Sequence, residues 1–188
     1  MAALTNLPSK LSRALGAYLV SVGIDQRQVF PKYTGKDRTF AYGPIVTTLV
    51  LPGKPNPRLT GNWKFPVALQ IKGTLVSDGT AAAKEAQRVA FDAFVGEVNQ
   101  AMMSSDDDTT LKATVELINE AGRAMAVAGT SDEEDAKEDW CKAENNADMA
   151  DFTITELEDS TFGGGEASDC NWEVVMMFDA TACESNVD

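Results

Sequence analysis

Carboxylates, three thiols and a run of glycines are the groups in this sequence that could do chemistry, and histidine is absent altogether. Without histidine the commonest general base and the commonest neutral metal ligand are both missing. A Ser or Cys nucleophile needs an activating base, so a triad of the usual kind cannot be built, and no spacing nominates a Ser-Lys dyad. Cys141, Cys170 and Cys183 stand 29 and 13 residues apart with no C-x-x-C pair, which argues against structural zinc. Three scattered thiols read as those of an intracellular chain, one disulfide with a free thiol being the alternative. Asp106 to Asp108 form one acidic cluster and DEEDAKED, residues 132–139, another. The second lacks the alternating Asp/Asn ligands, central Gly and closing Glu of a calcium loop. A magnesium site at Asp106 to Asp108 stays open, but among 29 Asp/Glu such neighbours are expected from composition. Neither phosphate-binding glycine pattern occurs, and Gly163 to Gly165 opens no helix. The expectation is a protein that is not an enzyme and holds no cofactor or metal.

Charge is the stronger signal. With 188 residues, 44% hydrophobic and 24% charged, the chain has the length and composition of one globular domain, 1–188. Its net charge of -13 argues against a molecule that binds nucleic acid over its whole surface, because phosphate binding needs a positive one. The charge is also divided. Residues 1–100 carry 12 Lys/Arg against 6 Asp/Glu, and residues 101–188 carry 4 against 23, so a basic part of +6 precedes an acidic part of -19. If these form different faces, the positive face of one copy can meet the negative face of the next, a head-to-tail contact that closes into a ring or runs on as a filament.

The elements that must position these charges can be read from periodicity. Leu11, Leu15, Tyr18, Leu19 and Val22 lie on one face of a helix expected from Ser9 to Val22, capped by Ser9 and ended by Gly23. Lys10 and Arg13 before the apolar Ala14 to Ile24 imitate a secretory signal, but no small-x-small cleavage site follows. No segment approaches the length of a membrane span, so the chain is expected to be soluble and made in the cytoplasm. Residues 24–44 read as an irregular arm with Arg27, Lys32, Lys36 and Arg38 among Phe30, Tyr33, Phe40 and Tyr42. That composition suits a groove for single-stranded nucleic acid, and suits equally a loop anchored on a core.

Ile45 to Leu51 reads as a central strand and Lys64 to Val76 as a half-buried one, with Pro66 placing its start at an edge or at the entry to the sheet. Between them PGKPNPRLTGN is too long for a simple turn, and with Lys54 and Arg58 it can be an arm that contacts a neighbour. Asp78 or Thr80 caps a helix to about Met103 with Phe91, Phe94, Val95, Val98 and Met102 facing the core. A second helical pattern carries Leu111, Val115, Ile118 and Met125. Phe152 to Glu158 and Trp172 to Asp179 read as closing strands around a Gly163 to Gly165 loop. The order gives an α+β fold: a sheet of roughly four mostly antiparallel strands with helices packed on one face.

The segments SKLSRALGAYLVSVG, then IVTTLVL and WKFPVALQIKG around PGKPNPRLTGN, then TAAAKEAQRVAFDAFVGEVNQAMM, and finally NWEVVMMFDAT succeed one another in a familiar order. In order and texture the chain resembles the tail terminator and related tail-completion (neck) proteins of bacteriophages. The resemblance implies a structural virion protein of the tail or neck, made in the host cytoplasm. Its copies would form a ring, commonly of six, that ends the tail tube, joins it to the head connector and lets DNA pass without specific binding. Lys54, Arg58, Asn62 and Lys64 would then serve a subunit interface. Asp106, Asp107, Asp108, Asp132, Glu133, Glu134 and Asp135 would line the lumen or an interface. A tail tube or head-completion protein would share the class. The alternative is a phage-type single-stranded DNA-binding protein, which the chain resembles in its basic, aromatic-bearing strand region, its acidic C-terminal part and the string TFGGGE.

Overall fold

The computed structural model describes residues 2–32, 40–55, 62–74, 80–102, 116–121, 151–168 and 171–185. Helix α1 spans Ala2–Ser21. It begins before the expected cap, so Ser9 stands inside it, and it carries Pro8 in its interior, where the missing N–H breaks one link of the helical ladder. Its other end is set by Gly23, whose φ of 109° is cheap only for glycine. There the Gly23 N–H donates to the Val20 carbonyl at 3.1 Å and the Ile24 N–H to the Leu19 carbonyl at 3.0 Å, a Schellman cap that leaves Leu19 and Ile24 in the core.

Residues 24–44 are not wholly irregular. Strand β1, Val29–Pro31, pairs in parallel with β2, Ile45–Val50. Three residues are too few to show periodicity, which is why the strand was hidden. The two-residue β3, Lys54–Pro55, and β4, Asn62–Thr74, follow, then α2, Ala81–Met102. Thr80 is the cap of α2: its Oγ1 accepts the Ala83 N–H at 3.3 Å. Strands β5, Asp151–Ser168, and β6, Asn171–Ser185, close the chain. The sheet runs β1-β2-β4-β6-β5, with β3 against β4. All pairs but β1 with β2 are antiparallel. The fold is therefore α+β as expected, with a mixed sheet enlarged by β1 and β3.

Two strand readings change. Gly163, Gly164 and Gly165 are not a loop but lie within β5, opposite Val175, Val174 and Glu173. Glycine erases the side-chain alternation by which a strand is recognised, while its backbone still pairs. Pro66 lies in a central strand rather than at an edge, opposite Asp179 of β6. Its carbonyl accepts the Leu51 N–H at 2.9 Å, one step beyond the last β2–β4 pair, Val50 with Val67. Since N–H and C=O of an antiparallel residue point the same way, the missing donor falls where that ladder has ended.

One face of the sheet holds the main core. Register places Val46, Thr48 and Val50 of β2 beside Ile71, Leu69 and Val67 of β4, and these beside Val174, Met176 and Phe178 of β6. Both helices cover this face. Ser12 of α1 bonds Thr48, and Phe91 of α2 packs on Trp172 with ring centroids 5.7 Å apart, over Gly73. The Tyr18 hydroxyl donates to the Ala101 carbonyl and so ties α1 to α2. Phe91, Phe94, Val98 and Met102 form the buried stripe of α2, and Ile118, in a helical stretch over 116–121, joins the same cluster. Burial of each such side chain contributes about 1.5–3 kcal/mol. Leu111, Val115 and Met125 lie outside the described residues. Phe30, Ile45, Thr47 and Ala68, on the reverse face by register, are buried too, which accounts for the lack of a polar face in β2.

The α1–β2 contact has a polar lock. Ser12 Oγ donates to the Thr48 carbonyl and Thr48 Oγ1 donates to the Ser12 carbonyl, each at 2.7 Å and buried. Ser12→Ala removes one donor and leaves the Thr48 carbonyl short of a partner, so chemical denaturation should show a loss of about 1–2 kcal/mol. An unchanged midpoint would mean that water reaches this contact.

Candidate functional site

Of the residues expected at a subunit interface, Lys54, Asn62 and Lys64 lie at one corner of the sheet. Residues 45–74 contain Lys54, Arg58, Lys64 and Lys72 and no acid. The start of the loop between β2 and β4 is less free than its prolines suggest, because β3 lies against β4: Lys54 pairs with Lys64 and Pro55 with Trp63. Two lysines therefore stand directly opposite one another, an arrangement that costs stability unless negative charge is near. Asn62 opens β4 opposite Cys183 of β6. Arg58 lies outside the described residues. Gly53, just before β3, sits against the buried Phe65 ring and fixes where the loop leaves the core.

The other side of the sheet is its electrostatic opposite. Residues 151–185, the β5–β6 hairpin, contain nine Asp/Glu and no Lys or Arg. Because β4 and β6 are neighbours, the basic hairpin joins the acidic one along a single seam. The seam carries an ion pair: Lys72 Nζ lies 3.9 Å from Glu173 Oε1, which also accepts a hydrogen bond from Gln70 Nε2. Lys72 and Glu173 are direct cross-strand partners. The sequence held a signal for this acidic half, the unbroken absence of bases over 151–185, but the run at 132–139 is denser and draws attention away from it. Asp106, Asp107, Asp108, Asp132, Glu133, Glu134 and Asp135 lie outside the described residues, as does any magnesium site at Asp106 to Asp108.

A second charged feature lies beside α1. The Asp25 carboxylate accepts from the Arg27 backbone N–H at 2.9 Å and from the Arg27 guanidinium at 2.5–3.0 Å, and the same guanidinium lies 4.2 Å from the centre of the Tyr42 ring. The hydrogen bonds to Asp25 push the Arg27 pKa up from an already high value, so its charge is constant at any ordinary pH. In the segment read as anchor or groove, Phe30 is a buried anchor, whereas Phe40 and Tyr42 are 40% and 53% exposed. Tyr33, Lys36 and Arg38 lie outside the described residues.

Among the described residues, no group of three or more His, Cys, Asp or Glu could hold a metal ion. Nor is any helix among them long and apolar enough to cross a membrane. Fold and charge thus define an α+β domain built on a charge-divided sheet. No protein-family model matches the chain, and no curated protein matches it.

Proposed function

We propose that this chain is a structural virion protein of a phage tail or neck. Its copies form a ring, commonly six, that terminates the tail tube and joins it to the head connector while DNA passes through unbound. The observation that carries this reading is the construction of one sheet from a basic hairpin and an acidic hairpin, so that each copy carries unlike charge in its two halves. Unlike charge of this kind favours head-to-tail contact, which closes when the rotation between copies allows it. The order of elements, from opening helix through a long-looped hairpin and long helix to closing strands, supports the same class. In this reading the tail tube and head-connector proteins are the partners, and an acidic lumen, to which Asp106 to Asp108 and Asp132 to Asp135 would contribute, repels DNA and lets it slide.

The native mass of the purified protein, measured at low and high salt with and without magnesium, tests the reading. A closed species near six times 20.1 kDa, about 120 kDa, is the expected result. A strict monomer that gives a salt-sensitive gel shift with single-stranded DNA would replace the ring with the single-stranded DNA-binding reading. One observation favours that second reading: Arg27 over Tyr42, with Phe40 also exposed, puts cationic and aromatic side chains together at the surface.

A further inference from the structure

We infer that Arg27 over the Tyr42 ring, with Phe40 in the same turn as Tyr42, forms a platform on which a base of single-stranded DNA stacks. The inference goes beyond ring assembly and needs neither a ring nor a monomer. It is compatible with the passage of duplex DNA, whose bases are already paired and stacked and offer no free face.

Two turns build the platform, one before each of two adjacent strands. In the first, residues 25–28, the Gln28 N–H donates to the Asp25 carbonyl at 2.8 Å, and β1 follows at Val29. In the second, residues 40–43, the Gly43 N–H donates to the Phe40 carbonyl at 3.1 Å with Gly43 at a φ of 104°, and β2 follows at Ile45. Because β1 and β2 run parallel, both turns emerge at the same end of the sheet. Gln28 staples them together: its side-chain amide donates to the Pro44 carbonyl at 2.8 Å, and its own carbonyl accepts the Val46 N–H at 2.8 Å. Arg27 and Tyr42 therefore meet on backbone fixed by hydrogen bonds, and little freedom is left to lose when a ligand arrives.

Charge decides the kind of ligand. The Arg27 guanidinium bonds both oxygens of Asp25, so its charge is matched within the chain and it is no phosphate anchor. What Asp25 supplies is orientation, holding the guanidinium 4.2 Å from the centre of the Tyr42 ring. The Arg27 side chain is 60% exposed and the Tyr42 ring stands out beside it, while Phe40 adds a second exposed aromatic in the same turn. Bases of a single strand stack on aromatic rings and on guanidinium planes alike. Such a contact draws its strength from stacking and not from counterion release, which suits a chain whose net charge of -13 repels phosphate.

Fluorescence anisotropy with an end-labelled single-stranded oligonucleotide of mixed sequence tests this, against its duplex and against an abasic strand with the same phosphates. The parent protein should bind the single strand in preference to both. Tyr42→Ala should weaken binding about 5- to 150-fold, the loss of one stacked base, while Tyr42→Phe stays within about two-fold. Arg27→Gln should also weaken binding yet leave its salt dependence unchanged, because the matched charge releases no counterion. The inference is overturned if the abasic strand or the duplex binds as well as the single strand, or if Tyr42→Ala binds like the parent while circular dichroism finds it folded. It is overturned equally if Arg27→Gln lowers the log–log salt slope by about 0.7, the mark of a lost phosphate contact, or if the parent binds no single strand at low salt. Native mass is read alongside. A ring that binds no single strand would sink the platform and spare the ring, whereas a strict monomer that obeys the Tyr42 pattern would uphold the platform and sink the ring.

Discussion

Replacing Phe65 with alanine should lower the unfolding free energy by about 3–5 kcal/mol, the usual cost of emptying a large aromatic site in a packed core. Phe65 is fully buried in β4, in line with Val67, Leu69 and Ile71 on the helix-covered face. Its ring also closes the exit of the β2–β4 loop, since a Cβ added at Gly53 would overlap it. The cavity therefore opens beneath a chain reversal that can relax only by moving the basic corner. In a chain of this length each kcal/mol shifts the melting temperature by about 2–4 °C, so a fall of roughly 6–20 °C is expected in a thermal melt. A loss below about 1 kcal/mol would mean that the ring is not held between β4 and residues 51–53. The coupling can be measured separately. Gly53→Ala should be costly in the parent and nearly tolerated in Phe65→Leu, a non-additivity that two residues without contact would not produce.

Gly16→Ala should destabilise the protein by about 1–3 kcal/mol, although the same change in most helices is favourable by about 0.5–1 kcal/mol. A Cβ at Gly16 would lie 2.6 Å from Pro31 Cγ and 3.5 Å from Val29 Cγ1, so α1 and β1 approach at a distance only glycine permits. The proline ring has no rotamer by which to retreat. Gly96 of α2 is the control, because a Cβ there meets nothing within 4 Å, and Gly96→Ala should gain the ordinary increment of about 0.5–1 kcal/mol. Opposite signs at two helix-interior glycines are the expected pattern in denaturant titrations. Equal gains at both would show that α1 does not rest on β1.

The extent of the fold visible in the sequence follows from how far each segment's periodicity was its own. Strands β2 and β4 and the buried stripe of α2 were legible because Phe65, Val67, Leu69 and Ile71 alternate and Phe91, Phe94, Val98 and Met102 recur at helical spacing. Burial of one face imposes those patterns whatever the neighbours are. Gly23 was legible as a helix end for a local reason, the positive φ that only glycine adopts without strain. Strand β1 was not, because three residues carry no period and Phe30 is buried through its place beside β2. Nor was the length of β5, where Gly163 to Gly165 have no side chains to alternate and are held in the strand by pairing with β6.

The candidate surface divides in the same way. Composition alone established that histidine chemistry is absent and that a basic part precedes an acidic part, since counting charges needs no coordinates. It also marked Lys54 and Lys64 as members of a basic loop. Only the tertiary structure decided that the two lysines stand opposite each other, that β4 and β6 join the basic and acidic hairpins at a seam, and that β5 forms the outer edge. The reason is physical. Charge along a chain is local information, whereas a sheet edge is made by partners far apart in sequence, and the residues that pair across it are chosen by burial on the other face.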